Sequence, residues 1–256
     1  MRICLHDRQQ ISAYLKLNPG LNLYLTGDLD DFFWPHTSWY GWWAEDQLQA
    51  VALLYSGDDL PVLLALGGEA MPQLLAALRP LLPKRFYAHL GPAYEQVLAP
   101  DWRLSGGEPH LRMLLTHPEQ LTSSCPEAEV AGPDDLAGLQ ALYAEAYPHN
   151  WFNSRMLKTG HYLGVRRDGQ WLAVAGVHVF APQQGVAALG NITVHPQWRN
   201  QGWGSRLTAA LCRRLLQHVE LIGLNVHAAN QPAIRCYQKL GFEVVAEYWE
   251  WTAEST

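Results

Sequence analysis

Apolar residues recur with helical and strand periods along the second half of the chain. Leucines and a valine repeat every four residues from Leu207 to Val219, which predicts a helix over 203–218 with one buried face. Further helices are predicted over 133–147 and 232–240, and strands over 161–167, 170–180, 185–194, 221–226 and 242–252. This order predicts an α/β fold (α+β in some schemes), with a mixed, mostly antiparallel sheet flanked by helices.

The first half shows a similar alternation of predicted helices and strands, with weaker periodicity. Helices are predicted over 7–17, 71–82 and 92–98, and strands over 41–55, 61–66, 85–90 and 111–115. Segment 116–133 contains three prolines and few large apolar residues, which indicates a linker. We therefore expect domains at 1–120 and 127–256. The first domain is either a diverged duplicate of the second or an unrelated α/β domain.

Composition narrows the classes of partner. The 256 residues are 48% hydrophobic and carry a formal charge of −6, which disfavours a nucleic-acid binder with a broad basic surface. No apolar run reaches the ~18 residues of a membrane span, and the N-terminus shows no signal-peptide pattern. Four cysteines without a CxxC pair favour a reducing compartment, and eleven histidines show no HxH or HExxH spacing. We expect a cytoplasmic protein without metal, membrane or nucleic-acid partners.

The most informative segment is 190–205, with the sequence GNITVHPQWRNQGWGS. It reads as a strand, a short loop and a glycine-rich helix start. The first N–H groups of a helix have no partner within the helix, so they converge on an anion, and the helix dipole adds to the attraction. Glycines let the backbone approach closely. The segment therefore predicts a phosphate cradle made of main chain.

The spacing of the glycines distinguishes between the known phosphate-binding motifs. A P-loop needs a Lys after its second glycine, and a Rossmann turn needs a third glycine where Leu207 stands. The pattern Arg199-x-x-Gly202-x-Gly204 instead resembles the pyrophosphate motif of the GNAT superfamily of acyl-CoA N-acetyltransferases. A second resemblance follows in NQPAIRCYQKLGF, residues 230–242, at the spacing of one helix and one strand. The two motifs in this order identify residues 127–252 as similar to that superfamily.

The resemblance implies a role for each matched residue. Backbone groups of the strand at Ile192, Thr193 and Val194 are expected to contact the pantetheine arm of acetyl-CoA. N–H groups of the cradle are expected to hold its pyrophosphate; the cradle residues are Arg199, Asn200, Gln201, Gly202, Trp203, Gly204 and Ser205. Asn230 is expected to hydrogen-bond the cofactor arm, or to cap the following helix, or both. Tyr237 is the expected general acid at the departing sulfur, with a core aromatic residue as the alternative.

The same resemblance shapes expectations for the first half. It is closest to the branch whose catalytic domain resembles glycine N-acyltransferases, in which a degenerate N-terminal GNAT-like half is common. The first half has no Arg-x-x-Gly-x-Gly after its strand at 61–66, and Gly67-Gly68-Glu69 places an acid there. We expect it to bind no CoA and to shape the acceptor site or a dimer interface. The tryptophans in 34–43 either line an acceptor pocket or pack a hairpin, and His149, Asn150 and Trp151 follow the helix near which the family positions its acceptor.

The general base is missing from the motif. Many GNAT enzymes have a Glu near the strand before the cradle, whereas no Asp or Glu occurs here between Asp168 and Glu220. A water chain, His178 or His195 are the candidates, and either histidine is more simply structural. We expect transfer of an acetyl group from acetyl-CoA to a primary amine by direct attack. The alternatives are a non-catalytic acyl-CoA sensor and a protein N-terminal acetyltransferase.

Overall fold

The computed structural model describes residues 3–148 and 150–256 and divides them into two compact units. Unit 1 contains the described residues up to Arg112, together with Val226–Asn230 and Val244–Thr256. Unit 2 contains Met113–Asn225 and Gln231–Glu243. The units therefore do not follow the order of the chain, because the last strand, predicted as the end of the second domain, lies mostly in unit 1.

Unit 1 is a sheet with helices packed on it. Its helices are α1 (Arg8–Leu15), α2 (Leu23–Gly27), α3 (Met71–Leu78) and α4 (Glu95–Leu98). Its strands are β1 (Cys4–Leu5), β2 (Thr37–Ala44), β3 (Gln47–Tyr55), β4 (Val62–Ala65), β5 (Arg85–Leu90) and most of β6 (Trp102–Leu115). With the final strand of the chain, labelled β12 (Phe242–Ser255), the strands are neighbours in the order β1-β2-β3-β4-β5-β12-β6.

Two apolar clusters hold unit 1 together. One packs Leu74 and Leu78 of α3 against Phe86 of β5, and these side chains are fully buried. The other packs Ile11 and Leu15 of α1 beside Trp39. Removing this apolar surface from water supplies the main stabilisation of the unit, at about 25 cal/mol per Å².

The single strand predicted over 41–55 is wrong. The structure has a hairpin of β2 and β3, which turns at Glu45 and Asp46, both with left-handed φ angles of 50° and 59°. A two-residue turn of this kind usually contains Asn-Gly or Asp-Gly. Glu45 and Asp46 match neither pair, so the sequence does not indicate the turn. Trp39 in β2 is buried and stacks on Trp34 at 6.0 Å between ring centroids, which is hairpin packing.

Unit 2 contains the elements predicted from the second half. Its helices are α5 (Leu136–Ala146), α6 (Trp203–Leu215) and α7 (Gln231–Lys239). Its strands are β7 (Glu129–Val130), β8 (Leu163–Arg167), β9 (Gln170–Ala181), β10 (Val186–Val194) and most of β11 (Leu221–His227). They are neighbours in the order β11-β10-β9-β8-β7, antiparallel except for the parallel pair of β10 and β11. The predicted fold class is confirmed.

Local signals explain these elements. Asp168 and Gly169 turn the hairpin of β8 and β9 with φ angles of 51° and 80°, as an Asp-Gly pair predicts. The apolar face of α6 is fully buried at Leu207, Leu211 and Leu215, as the four-residue repeat of these leucines predicts.

The segment predicted as a linker lies against α6. The Arg206 guanidinium contacts the Glu127 carboxylate at 2.6 Å and donates to the Ser124 carbonyl at 3.0 Å. Arg213 donates to the Leu121 carbonyl at 2.5 Å, and the Leu121 side chain is buried. The segment is thus fixed to unit 2 by the polar face of α6.

Among residues 3–148 and 150–256, no helix is long and apolar enough to cross a membrane. In the same residues, no three His, Cys, Asp or Glu side chains are grouped so that they could hold a metal ion.

Candidate functional site

The candidate site begins where β10 bulges. The ladder of β10 with β11 pairs Val186–Leu189 with Leu221–Leu224, while β10 itself continues to Val194. The ladder of β10 with β9 shifts register between Gly190 and Thr193, and Asn191 has a left-handed φ of 54°. Gly190 and Asn191 therefore lie in a β-bulge, and the parallel pairing ends directly before it.

A small hydrogen-bond network holds the bulge. The Tyr143 hydroxyl donates to the Asn191 carbonyl at 3.0 Å, and the Asn191 amide Nδ2 donates to the Tyr162 hydroxyl at 3.0 Å. Tyr162 in turn donates to the Val177 carbonyl at 3.2 Å. All three side chains are buried, and burial raises the pKa of both phenols. Both tyrosines therefore stay neutral donors and stabilise a backbone conformation that a non-glycine residue rarely adopts.

The His178 ring lies directly over Gly190. A Cβ placed on Gly190 would meet His178 Cδ2 at 1.5 Å and Nε2 at 2.2 Å. Only glycine leaves room for an imidazole at this position. His178 is thus placed at the point where β10 leaves the parallel ladder.

The loop after β10 opens into the mouth of α6. Asn200 has a φ of 62°, and Gly202, the N-cap, has a φ of 79°. Gly202 carries no side chain to accept from the first-turn N–H groups, and a Cβ added there would meet nothing within 4 Å. A Cβ on Gly204 would lie 3.6 Å from Val194, an ordinary contact. The helix mouth is open at Gly202, and first-turn N–H groups and the helix dipole favour an anion at such a position.

Arg199 fixes this loop rather than offering a free charge. Its Nε donates to the Val194 carbonyl at 3.2 Å, and its Nη2 donates to the Ala146 carbonyl at 3.1 Å at the end of α5. The guanidinium therefore links the end of β10, at Val194, to the end of α5, at Ala146. Its predicted place in the motif is consistent with positioning the main-chain cradle.

His195 is engaged at both ring nitrogens. Its Nδ1 accepts from the Gln197 N–H at 3.3 Å and caps a short 3-10 turn. Its Nε2 lies 3.0 Å from the Glu145 carboxylate. These contacts indicate that His195 has a structural role.

Tyr237 lies on a helix that contacts the cradle. Its neighbour Cys236 shares a hydrogen bond with Ser205 in the first turn of α6, and the Tyr237 ring lies 5.9 Å from that of Phe242. The half-buried Tyr237 is therefore on α7 of unit 2, the unit that holds the cradle.

The remaining predicted residues divide between the units. Ile192, Thr193 and Val194 lead from the bulge into the cradle loop, and Asn200, Gln201 and Trp203 lie in or beside it, all in unit 2. Asn230 belongs to unit 1, where its N–H donates to the His227 carbonyl at 2.9 Å. His149, considered near the acceptor, lies outside the described residues.

Sequence reasoning missed the two tyrosines that support the bulge. Tyr143 was visible only as part of the apolar face of a helix, and Tyr162 only as part of a strand. The glycine at position 190 was a signal for a bulge, but it could not point to residues 28 or more positions away.

A family model described as "Acetyltransferase (GNAT) family" matches residues 130–242. Residues 130–242 form a GNAT acetyltransferase domain. The prediction of this domain in the second half is confirmed, and an N-acetyltransferase is the enzyme type that it indicates. No curated protein matches the chain.

Solved structures share the fold of the GNAT domain and of the first half. A putative GNAT acetyltransferase from Novosphingobium aromaticivorans is 23% identical, with a TM-score of 0.61, covering 80% of this chain and 88% of that one. A Drosophila protein has a TM-score of 0.73 at 15% identity, covering 98% and 97%. A tandem GNAT protein from the clavulanic acid biosynthesis pathway has a TM-score of 0.59 at 16% identity, also covering 98% and 97%. At these identities the likeness is one of fold, and for the last two structures it covers almost the whole of this chain.

Gly190→Ala tests the packing at the bulge. The added methyl group overlaps the His178 ring, so we expect the imidazole to move and the protein to lose about 1–3 kcal/mol of stability. Gly132→Ala is the matched control, because a Cβ there meets nothing within 4 Å and its φ of −114° suits alanine. Urea unfolding and the imidazole NMR signals measure both effects, and equal behaviour of the two variants would contradict this packing.

Proposed function

We propose that the protein transfers an acetyl group from acetyl-CoA to a primary amine. The observation that carries the proposal is the open mouth of α6, with Gly202 at the N-cap and space above it, next to a strand that leaves its parallel ladder. First-turn N–H groups and the helix dipole stabilise an anion at this position. Bound acetyl-CoA would supply an acyl group on a thiol leaving group.

The residues proposed to hold acetyl-CoA are those of the matched motifs. The backbone at Ile192, Thr193 and Val194 would pair with the pantetheine arm. The main chain from Arg199 to Ser205 would bind the diphosphate. Asn230 is proposed to donate to the cofactor arm, as the family motif implies.

Tyr237 is proposed to stabilise the departing sulfur. A phenol of pKa ~10 and a thiol of pKa ~8.5 differ by about 2 kcal/mol in proton affinity, so full transfer from tyrosine is uphill. A hydrogen bond from the hydroxyl still becomes stronger as charge develops on sulfur, and such a bond raises the rate. The contact of its helix with Ser205 supports this placement.

We propose His178 as the proton acceptor. Of the two candidate histidines, His178 lies over the bulge at Gly190, where β10 leaves its parallel ladder, whereas His195 follows the end of β10 and caps a 3-10 turn. An α-amine of pKa ~8 gives up its proton at pH 7 at a cost of about 1.4 kcal/mol, against about 4.6 kcal/mol for a lysine-like amine. An imidazole base thus fits an acceptor that is weakly basic.

Direct attack of the amine is favoured over a covalent acyl-enzyme. In that step the amine nitrogen bonds to the acyl carbon, the carbon–sulfur bond breaks, the amine proton passes to the base and the thiolate leaves. Burial raises the pKa of the Cys236 thiol, and it raises that of Cys212 to about 12. Both thiols are therefore held protonated, which makes them weak nucleophiles.

The first half is proposed to be a degenerate GNAT-like domain that binds no CoA. Its loop between β4 and α3 corresponds in order to the loop between β10 and α6. A Cβ on Gly68 in that loop would meet the Gln49 carbonyl and the Tyr14 hydroxyl, each at 2.8 Å. The loop of unit 1 is thus filled by its own unit, whereas Gly202 faces open space. A role in acceptor binding or in a homodimer, and the glycine N-acyltransferase branch, stay predictions.

Calorimetry tests this asymmetry. We expect one equivalent of coenzyme A per chain, because of these two loops the one before α6 faces open space at Gly202 and the one before α3 is filled at Gly68. A stoichiometry of two would show that the loop before α3 also binds a diphosphate, and that the first half has kept its site.

Tyr237→Phe tests the transfer itself. With acetyl-CoA and a panel of amino acids, polyamines, aminoglycosides and short peptides, we expect thiol release by the native protein. The variant should lose about 10²-fold in kcat while retaining CoA affinity, because only the hydroxyl is removed. No release with any amine would favour an acyl-CoA sensor, and release with peptides alone would favour a protein N-terminal acetyltransferase.

His178→Gln and His195→Gln separate the two histidines. Loss of the base should lower kcat by about 10²–10⁴-fold in His178→Gln and remove the limb of the pH–rate profile that reports the base. His195→Gln should keep that limb, since its ring caps a turn. The assignment fails if the two profiles coincide.

A further inference from the structure

The sulfur of Met156 contacts the hydrogen-bond network that holds the bulge at Asn191. Its Sδ lies 3.4 Å from the Tyr162 hydroxyl oxygen and 3.7 Å from Asn191 Nδ2. With the Tyr162 proton donated to the Val177 carbonyl, the two N–H groups of the Asn191 amide reach the Tyr162 oxygen and the sulfur. A thioether, which is a weak acceptor, thus accepts an N–H of a residue that is only 4% exposed.

Met156 is also accessible from solvent. Among the methionines that the structure describes, Met71 and Met113 are fully buried, whereas Met156 is partly exposed. Met1 lies outside the described residues. Because a soluble oxidant has to reach the sulfur from solvent, Met156 is the methionine of the described chain that it reaches most easily.

The main chain around Met156 is held in place. Met156 lies in a 3-10 helix over Ser154–Thr159. Its N–H donates to the Asn153 carbonyl at 3.0 Å, its carbonyl accepts from Thr159 Oγ1 at 2.7 Å, and the adjacent Leu157 is buried. The backbone fixes the point from which the side chain extends, so the side chain and the network that it contacts must absorb any change at the sulfur.

Oxidation by a hydroperoxide changes the chemistry of this contact. A sulfur lone pair bonds to one peroxide oxygen and the oxygen–oxygen bond breaks. The second oxygen takes the proton of the first and leaves as an alcohol, or as water when the oxidant is hydrogen peroxide. The sulfur is oxidised and the peroxide is reduced. The product, methionine sulfoxide, is polar and chiral, and one reductase for each epimer returns it to methionine.

Either epimer of the sulfoxide disturbs the network. If the new oxygen points toward Asn191 and Tyr162, it enters contacts of 3.4 and 3.7 Å that leave no room for another atom, and it competes with Val177 for the Tyr162 proton. If it points away, the sulfur that faces the two donors carries a partial positive charge and accepts poorly. In both cases the left-handed φ of Asn191 loses part of its support.

From these contacts we infer that Met156 is a modification site, at which a hydroperoxide forms the sulfoxide and thereby loosens the bulge at Gly190 and Asn191. The proposed binding of acetyl-CoA uses main chain that follows this bulge. Oxidation therefore lowers the affinity for coenzyme A, and reduction of the sulfoxide restores it. The effect on the bulge needs no cofactor, whereas the effect on affinity rests on the proposed function.

The test treats the full chain with hydrogen peroxide and follows each methionine by peptide mass spectrometry. We expect Met156 to be oxidised at least about tenfold faster than Met71 and Met113. As Met156 is oxidised, the side-chain amide NMR signals of Asn191 should shift. Dithiothreitol, which reduces disulfides and sulfenic acids, should leave that shift, whereas methionine sulfoxide reductases for both epimers should reverse it.

Met156→Leu removes the sulfur at similar side-chain volume. Each protein is compared with its own untreated sample. Peroxide should leave the Asn191 signals of this variant unchanged, although the other sulfur atoms of the chain are still present. Met71→Leu is the matched control, with the same change at a buried methionine of α3, and it should respond to peroxide like the native protein.

Calorimetry with coenzyme A measures the consequence for the candidate site. We expect the Kd to rise about tenfold in the oxidised native protein, which is the effect of one buried donor left without its acceptor. Peroxide treatment of Met156→Leu should leave its Kd unchanged.

Four results would overturn the inference. They are equal oxidation rates of Met156, Met71 and Met113, unshifted Asn191 signals in protein oxidised at Met156, an equal peroxide response in Met156→Leu, and an unchanged Kd in a protein that binds coenzyme A before treatment. Absence of coenzyme A binding before treatment would instead contradict the proposed function, and the NMR comparison, which needs no cofactor, would still decide whether Met156 controls the bulge.

Discussion

The bulge at Gly190 and Asn191 is the constraint on which the candidate site depends. Two parallel strands that continue in register satisfy each other's backbone groups, and nothing can enter between them. Here the ladder of β10 with β11 ends at Leu189 and Leu224, and Asn191 keeps a left-handed φ through the hydrogen bonds of its carbonyl and its amide. Main-chain groups beyond this point are thereby available to a ligand.

The second half of the fold could be read from local signals. A four-residue apolar repeat is a property of neighbouring residues, and it predicted the buried face of α6 correctly. Gly202 predicted the turn into α6, since a φ of 79° strongly favours glycine. Such features depend on a few consecutive residues, so one sequence is enough to predict them.

The rest depends on contacts between distant positions, which periodicity does not encode. Tyr143 and Tyr162 look like ordinary core residues until Asn191 is placed beside them. Glu250 and His89 are 161 positions apart and face each other only through strand pairing. The turn at Glu45 and Asp46 was missed because carboxylate residues rarely hold two successive left-handed angles.

The place of β12 in unit 1 has a consequence for biosynthesis. This strand lies between β5 and β6 in the sheet order, yet it follows both of them in the sequence, β6 by more than a hundred residues. An N-terminal segment emerging first cannot complete its sheet, because the strand that joins its two parts is more than a hundred residues away. The edges of β5 and β6 therefore stay unpaired until β12 has been synthesised, and such an unpaired edge favours aggregation of a nascent chain.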